Sequence, residues 1–279
     1  MLEGIGASPQ HRLGQNFMID GNLVRVVAAA GELSKHDAVI EVGPGTGTLT
    51  GELLDGAARV LAVEVDHKLA AMLASQYAGD ARIEILDGDA LAGKHKLNSR
   101  LIQWMAEARR DALTVKLVSN LPYSIASPLV IELLIAGVDL LAFTVQKEVA
   151  YRLRAAADGD LYGPLSIMVQ LLADVEILRT MPPQAFWPMP KIDSALVRLR
   201  RRDRLGGEAE RFSRFAHGIF SSRRKTLRKA MELAGVTEVE RAIVTAGLDG
   251  QTRPQNVTVE KWWELFLAAG EAGRRSRTG

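Results

Sequence analysis

The sequence predicts an α/β protein in which a mainly parallel sheet is covered on both faces by helices and is followed by a smaller, all-helical C-terminal domain. Three observations predict it. Short aliphatic runs recur between residues 38 and 145, segments of helical length separate them, and from about Glu208 only helical periodicity remains. A strand buried on both faces needs no polar alternation, so an unbroken aliphatic run points to the interior of a parallel sheet.

Taken in order, Asp20 stands before LVRVVAAA, where its carboxylate can cap a helix and Phe17 can staple onto it. AVIEV (38–42) is a first strand and RVLAVEV (59–65) a second, followed by the helical DHKLAAMLASQY. RIEIL (82–86) is a third strand. The long segment 92–113 then carries an amphipathic helix around Leu101 to Arg109, with His95 and Lys96 in an exposed loop. TVKLVSN (114–120) and LLAFTV (140–145) are further strands flanking the helical SPLVIELLIAG. VEILRTM and SALVRLRRR, joined by a proline-rich loop, give the sheet an antiparallel end. Residues 210–235 and TVEKWWELFLAAG are helical, with DGQTRPQN between them. Gly206-Gly207 breaks both periods, which sets domains at 1–205 and 206–272 and leaves 273–279 as a tail expected to be disordered.

Composition narrows the function classes. With no cysteine among 279 residues, disulfides, thiolate metal sites and cysteine nucleophiles are excluded. Neither a signal-peptide core nor an apolar run near the ~18 residues of a membrane span is present, so a soluble, cytoplasmic protein is expected. From Arg198 to Lys229 twelve arginines and lysines face only Asp203, Glu208 and Glu210, an excess of nine in a chain whose net charge is +2. Such lopsidedness fits a polyanionic partner, with Arg223, Arg224, Lys225, Arg228 and Lys229 as candidate contacts crowding one helix. A solvated helix face is the competing reading.

The turn VGPGTGTLT after the first strand brings Gly43, Gly45 and Gly47 close together, where backbone can meet a ligand directly. Thr48 occupies the third position of the dinucleotide fingerprint G-x-G-x-x-G, and the Gly-Lys-Ser/Thr of a P-loop is absent. Glu64, ending the second strand, can accept from ribose hydroxyls, and Asp89, after the third, from an exocyclic adenine amine. A nucleoside without a pyrophosphate suits these parts, and S-adenosylmethionine is such a ligand. A tight turn with Glu64 and Asp66 capping the next helix is the bland alternative.

Asn120-Leu121-Pro122-Tyr123 leaves the fourth strand at its carboxyl end, the edge where open α/β sheets bind ligands. A nucleobase amine is a poor nucleophile because its lone pair is delocalised into the ring. The Asn120 side-chain oxygen and the Leu121 carbonyl can accept its two N–H groups and aim the lone pair, Pro122 stiffens the turn, and Tyr123 offers a face for stacking. A plain strand-to-helix turn reads the same residues without chemistry.

Seven motifs, LGQNFMID (13–20), EVGPGTGTLT (41–50), AVEVD (62–66), GDAL (88–91), SNLPYSIASP (119–128), QKEVAYRL (146–153) and FWPMPKIDSALVRL (186–199), resemble the ribosomal RNA small-subunit adenine N6,N6-dimethyltransferase family. The resemblance implies a Rossmann-like class I S-adenosylmethionine methyltransferase sheet with a helical RNA-binding domain, and a substrate of adjacent adenines near the 3′ end of small-subunit (16S) rRNA. It implies that residues 1–20 form a lid in which Asn16 and Met18 cover the cofactor, that Gly43, Gly45, Glu64 and Asp89 hold it, and that Asn120 serves both cofactor and amine. Phe186 is implied to stack on the flipped adenine opposite Tyr123. A monomer acting on a pre-ribosomal 30S particle is expected. The rivals are the large-subunit rRNA adenine methyltransferases of the macrolide-resistance type, an assembly factor acting mainly by binding, DNA adenine methyltransferases, and a nicotinamide oxidoreductase. The last is weakened by the glycine spacing.

Overall fold

In the computed structural model, residues 14–93 and 96–275 are described. Residues 1–13 of the expected lid, His95, and 276–279 of the expected tail lie outside the described residues. The chain divides into two compact units, one of Met1–Ala150 with Asp174–Arg201 and one of Tyr151–Ala173 with Arg202–Gly279. The second unit thus recruits an internal segment, 151–173, that no change of composition or period sets apart from the sheet, and the break at Arg201 falls four residues before the expected one.

The first unit holds a seven-stranded sheet made of β1 (Asp37–Val42), β2 (Arg59–Glu64), β3 (Ile83–Asp87), β4 (Thr114–Asn120), β5 (Leu140–Gln146), β6 (Ala173–Met181) and β7 (Ser194–Arg201), in the order β3-β2-β1-β4-β5-β7-β6. Strands β1 to β5 pair in parallel, and β7 returns antiparallel against β5, with Ser194 opposite Gln146 and Arg200 opposite Leu140. Because β1 to β4 run the same way, the glycine turn, Glu64, Asp89 and Asn120 all emerge at one edge. Every residue of β1 is buried, as its aliphatic run requires.

Helices α1 (Gly21–Ala30), α2 (Thr48–Gly56), α3 (His67–Gln76), α4 (Ser99–Arg110) and α5 (Ala126–Ile135) connect or flank these strands. Asp20 and Asp66 cap α1 and α3 through their carboxylates. The long segment between β3 and β4 folds into α4, which buries Leu101, Trp104, Met105 and Ala108 at the spacing of one helical face. Asn98 caps it, and Arg100 binds Glu84 and Glu107 on its other side.

The second unit contains α7 (Pro164–Leu172), α8 (Ala209–Phe220), α9 (Leu227–Leu233), α10 (Val239–Thr245) and α11 (Val259–Arg275), while α6 (Lys147–Leu153) crosses the unit boundary. Its core is aromatic: Phe212 meets Phe266 edge-on at 5.4 Å and Trp263 at 5.8 Å, and Trp262 is fully buried. The expected continuous helix over 210–235 is broken. Ser221 Oγ donates back to the Gly218 carbonyl at 2.7 Å and Thr226 caps α9, so hydroxyls compete with the helix ladder between Phe220 and Leu227. Arg223, Arg224 and Lys225 therefore sit on a turn and not on one helix with Arg228 and Lys229.

This break sorts the basic window. Arg228 donates to Glu240 at 3.0 Å and Lys229 to Glu232 at 2.9 Å, and in the sheet Arg198 and Arg200 bind Glu32 and Glu176. Arg223, Arg224 and Lys225 are exposed and, among the described residues, have no ion pair. Among the described residues, no helix is long and apolar enough to cross a membrane, and no cluster of His, Asp and Glu could hold a metal ion.

Candidate active site

A cavity of about 260 Å³ opens at the carboxyl edge of the sheet. It is lined by residues 14–18, the glycine turn, Glu41, Glu64, Asp89 and the run from Asn120 to Ile125. The structure thereby brings together Asn16, Met18, Gly43, Gly45, Glu64, Asp89, Asn120, Leu121, Pro122 and Tyr123, which lie far apart in sequence.

The turn works because its glycines adopt backbone that other residues avoid. Gly43 and Gly45 have φ of 76° and 60°. A Cβ on Gly45 would come within 2.7 Å of the Phe17 ring, and one on Gly43 within 3.0 Å of Pro122. Phe17 itself stacks on Trp187, with ring centroids 6.4 Å apart.

Glu64 is 3 % exposed and is oriented by two main-chain donors, Gly45 N–H to Oε2 and Asp66 N–H to Oε1, each at 3.0 Å. A carboxylate offers about four lone-pair sites, so each oxygen retains acceptor capacity toward the cavity. Burial raises the Glu64 carboxyl above its ordinary range, partly offset by the bonds from Asp66 and Gly45. Asp89 is exposed at the cavity wall, with Oδ1 accepting the Leu91 N–H at 2.9 Å.

Asn120 is held from two sides. Its Nδ2 donates to the Asn16 main-chain carbonyl at 2.7 Å, and its Oδ1 accepts from the Thr144 hydroxyl. Tyr123 is half-buried, and its hydroxyl shares a 2.6 Å hydrogen bond with Ser194 Oγ. Burial raises the Tyr123 phenol, so it stays protonated near neutral pH. Thr144 and Ser194, both fully buried, are neighbours of Asn120 and Tyr123 that the sequence alone does not single out. The available signal was a hydroxyl inside an aliphatic run, which must find a partner once buried.

Phe186 is not brought to the cavity wall. It is 2 % exposed, belongs to the core cluster, and lies opposite Met18 in a two-residue antiparallel pairing, Phe17–Met18 with Phe186–Trp187. Successive side chains of a strand point to opposite faces, so burying Phe186 turns Trp187 outward, where it is 47 % exposed.

The lining also tests which ligand fits. Among the described lining residues there are three acids, Glu41, Glu64 and Asp89, and no Lys, Arg or His. A dinucleotide or nucleoside triphosphate would bring several negative charges to a lining that offers them no cation. A nucleoside that is cationic at sulfonium and amine suits it, and S-adenosylmethionine carries both.

Glu41 is fully buried and accepts the Thr50 hydroxyl at 2.6 Å. Burial pushes its carboxyl up to about 8; the Thr50 bond pulls the other way and the Glu64 charge adds to the rise. A carboxyl whose folded value exceeds its unfolded one costs stability as pH rises, because the unfolded chain gives up a proton that the native state retains. Between the ordinary carboxylate range and about pH 8, Glu41 should therefore remove stability at up to about 1.4 kcal/mol per pH unit. Glu41→Gln keeps an acceptor for Thr50 and should be increasingly stabilised over wild type as pH rises through this window. Urea unfolding at pH 5, 6.5 and 8 checks it; parallel profiles for the two proteins would contradict a protonated Glu41.

Comparison with known proteins fits this geometry. A family model described as Ribosomal RNA adenine dimethylase matches residues 7–270. Ribosomal RNA small subunit methyltransferase A of Magnetococcus marinus is 38% identical over 271 residues, covering 95% of this chain and 93% of its own. The protein of the same name from Clostridium perfringens is 35% identical over 260 residues, covering 91% and 88%. Among solved structures, the 23S rRNA methyltransferase ErmE has a TM-score of 0.64 at 27% identity, covering 91% of this chain and 100% of that one. A dimethyladenosine transferase from Plasmodium falciparum has a TM-score of 0.71 at 22% identity, covering 92% and 98%, which bears on the fold alone.

Proposed function

Since the chain belongs to the ribosomal RNA adenine dimethylase family, we propose that it dimethylates the N6 amines of two adjacent adenines near the 3′ end of small-subunit (16S) rRNA. It does so as a cytoplasmic monomer acting on a pre-ribosomal 30S particle, in small-subunit biogenesis. The observation that carries this reading is the convergence of Asn120 to Tyr123 with Glu64 on one cavity that has no basic residue among its described lining. Its similarity to the small subunit methyltransferase A proteins supports the choice of rRNA.

S-adenosylmethionine supplies an electrophilic methyl group when bound. Glu64 takes the ribose hydroxyls on its remaining lone pairs, and Asp89 takes the adenine amine. At the other end Asn120 Oδ1 and the Leu121 carbonyl accept the two N–H groups of the target adenine and turn its nitrogen lone pair toward the donor. Tyr123, anchored by Ser194, gives the base a fixed face to lie on. No shifted general base is required before attack, because an amine becomes strongly acidic once alkylated. Catalysis is then positioning and electrostatics.

The helical region 206–272 grips RNA, and the unpaired cations on the turn after α8 are its leading phosphate ligands. Arg223→Gln with Arg224→Gln should weaken RNA binding and flatten its salt dependence, by at most about 0.7 to 0.9 log unit for each phosphate no longer neutralised. Arg228→Gln, which breaks an internal pair, should change the slope less. Titrations over a range of salt decide it, and an unaltered slope for the double variant rules this turn out as a phosphate-binding element.

The 27% identity with a 23S rRNA methyltransferase, below the 38% and 35% with the small subunit methyltransferase A proteins, leaves a large-subunit target as the second reading. Incubation with S-adenosylmethionine and immature small or large subunits, followed by mass spectrometry of the digested RNA, separates the two. Dimethyladenine in the small subunit alone is expected; modification confined to the large subunit overturns the proposal.

A further inference from the structure

We infer that Thr144, on β5, is a positioning residue that holds the Asn120 amide oxygen where it meets the target amine. The inference rests on the reading of Asn120 given above and names the residue that makes Asn120 competent for it.

Asn120 and Thr144 are register partners on the adjacent parallel strands β4 and β5, so their side chains stand side by side at the cavity edge. An asparagine amide can be turned over with little change in shape, exchanging acceptor for donor. Here the Asn16 neighbour settles the orientation, and Thr144 then donates to the oxygen it leaves facing β5. The Asn16 main-chain carbonyl can only accept, so the amide atom 2.7 Å from it must be the nitrogen. The oxygen then faces Thr144, whose hydroxyl donates to it.

The amide oxygen, so oriented, keeps one lone pair for an incoming N–H. The reversed amide would oppose two donors to the adenine amine and two acceptors to each other at Asn16. Thr144 is fully buried, so water does not replace its hydroxyl if it is removed. The remaining constraint would come from Asn16 alone, in the short segment ahead of α1.

The second methyl transfer is the more sensitive step. The unmodified amine has two N–H groups to share between acceptors; the monomethylated amine has one, and a misaligned acceptor cannot be compensated by the other bond. Loss of the Thr144 hydroxyl should therefore slow turnover and also shift the product from dimethyladenine toward monomethyladenine.

Thr144→Val, which keeps the shape and removes the hydroxyl, is expected to lower kcat by about tenfold, the scale of one hydrogen bond. KM for the RNA substrate and Kd for S-adenosylmethionine should stay within about twofold, because Thr144 is fully buried and acts only through the Asn120 oxygen. Thr144→Ser should restore the rate and the dimethylated product, and Thr144→Ala should repeat the valine result if valine impairs folding. In an Asn120→Ala background Thr144→Val should cost nothing further, because the group it orients is gone. Full turnover and normal product from Thr144→Val beside a crippled Asn120→Ala would overturn the positioning role alone, as would an equal loss in both backgrounds. Near-normal turnover by Asn120→Ala would overturn the reading of Asn120 and this inference with it.

Discussion

Asn120→Ala is expected to slow both methyl transfers by about 100-fold or more, the usual consequence of removing one preorganised polar group from a transition state. The side chain is held before substrate arrives, by Thr144 on one side and the Asn16 carbonyl on the other, so it needs no reorganisation at the moment of reaction. Alanine removes the acceptor and also the link between the end of β4 and the segment ahead of α1. The two effects are separable. A defect in the chemical step appears as a lower single-turnover rate at saturating cofactor, whereas a loosened segment appears as weaker S-adenosylmethionine binding. Asn120→Asp retains an acceptor but sets a carboxylate against the Asn16 carbonyl, so it should weaken the cofactor site without restoring the rate. Mass spectrometry of RNA after prolonged reaction should find little mono- or dimethyladenine with Asn120→Ala. Near-normal dimethylation would show that Asn120 is only part of a turn.

Most of the fold is legible in the sequence because the sheet is buried on both faces. AVIEV, RVLAVEV and LLAFTV are aliphatic for one reason only, and they become β1, β2 and β5. The glycine-turn side of the cavity is legible for a related reason. A glycine turn, a carboxylate at the end of the next strand and another after the third fall on one edge once the strands are parallel. What is not legible depends on register and on which side of a short strand faces inward. Neither LLAFTV nor SALVRL tells which hydroxyl will meet Asn120 or Tyr123; that needs Asn120 opposite Thr144, and Tyr123 beside the start of β7. Phe186 and Trp187 are equivalent on paper, and the pairing with Phe17–Met18 turns one inward and the other outward. The basic helix failed for a local reason, since three hydroxyl residues between Phe220 and Leu227 are as compatible with a helix surface as with the turn they form. Residues 151–173 read as more of the same domain because α7 is apolar enough to suit either unit.

Glu64→Ala should weaken S-adenosylmethionine binding by about 1.5 to 3 kcal/mol, which is about 10- to 150-fold in Kd, with the fold retained. The magnitude is that of hydrogen bonds to a charged acceptor, and the geometry explains why this carboxylate can supply them. Its two oxygens are pinned by the Gly45 and Asp66 N–H groups, so ribose hydroxyls meet an acceptor whose position is already fixed. The same burial raises its pKa, and removing it relieves a buried charge, which offsets part of the cost of leaving two main-chain donors without their partner. Tm should therefore fall far less than affinity. Glu64→Gln keeps one oxygen acceptor but presents an NH2 group to one of the two main-chain donors, so it should bind more tightly than alanine and less tightly than wild type. RNA affinity in the absence of cofactor should be unchanged in both, because Glu64 is buried in the cavity lining. Calorimetric titration at matched pH, with thermal unfolding measured on the same samples, gives both quantities. Unchanged S-adenosylmethionine affinity in a folded Glu64→Ala protein would reduce Glu64 to a brace for the glycine turn and place the ribose elsewhere in the cavity.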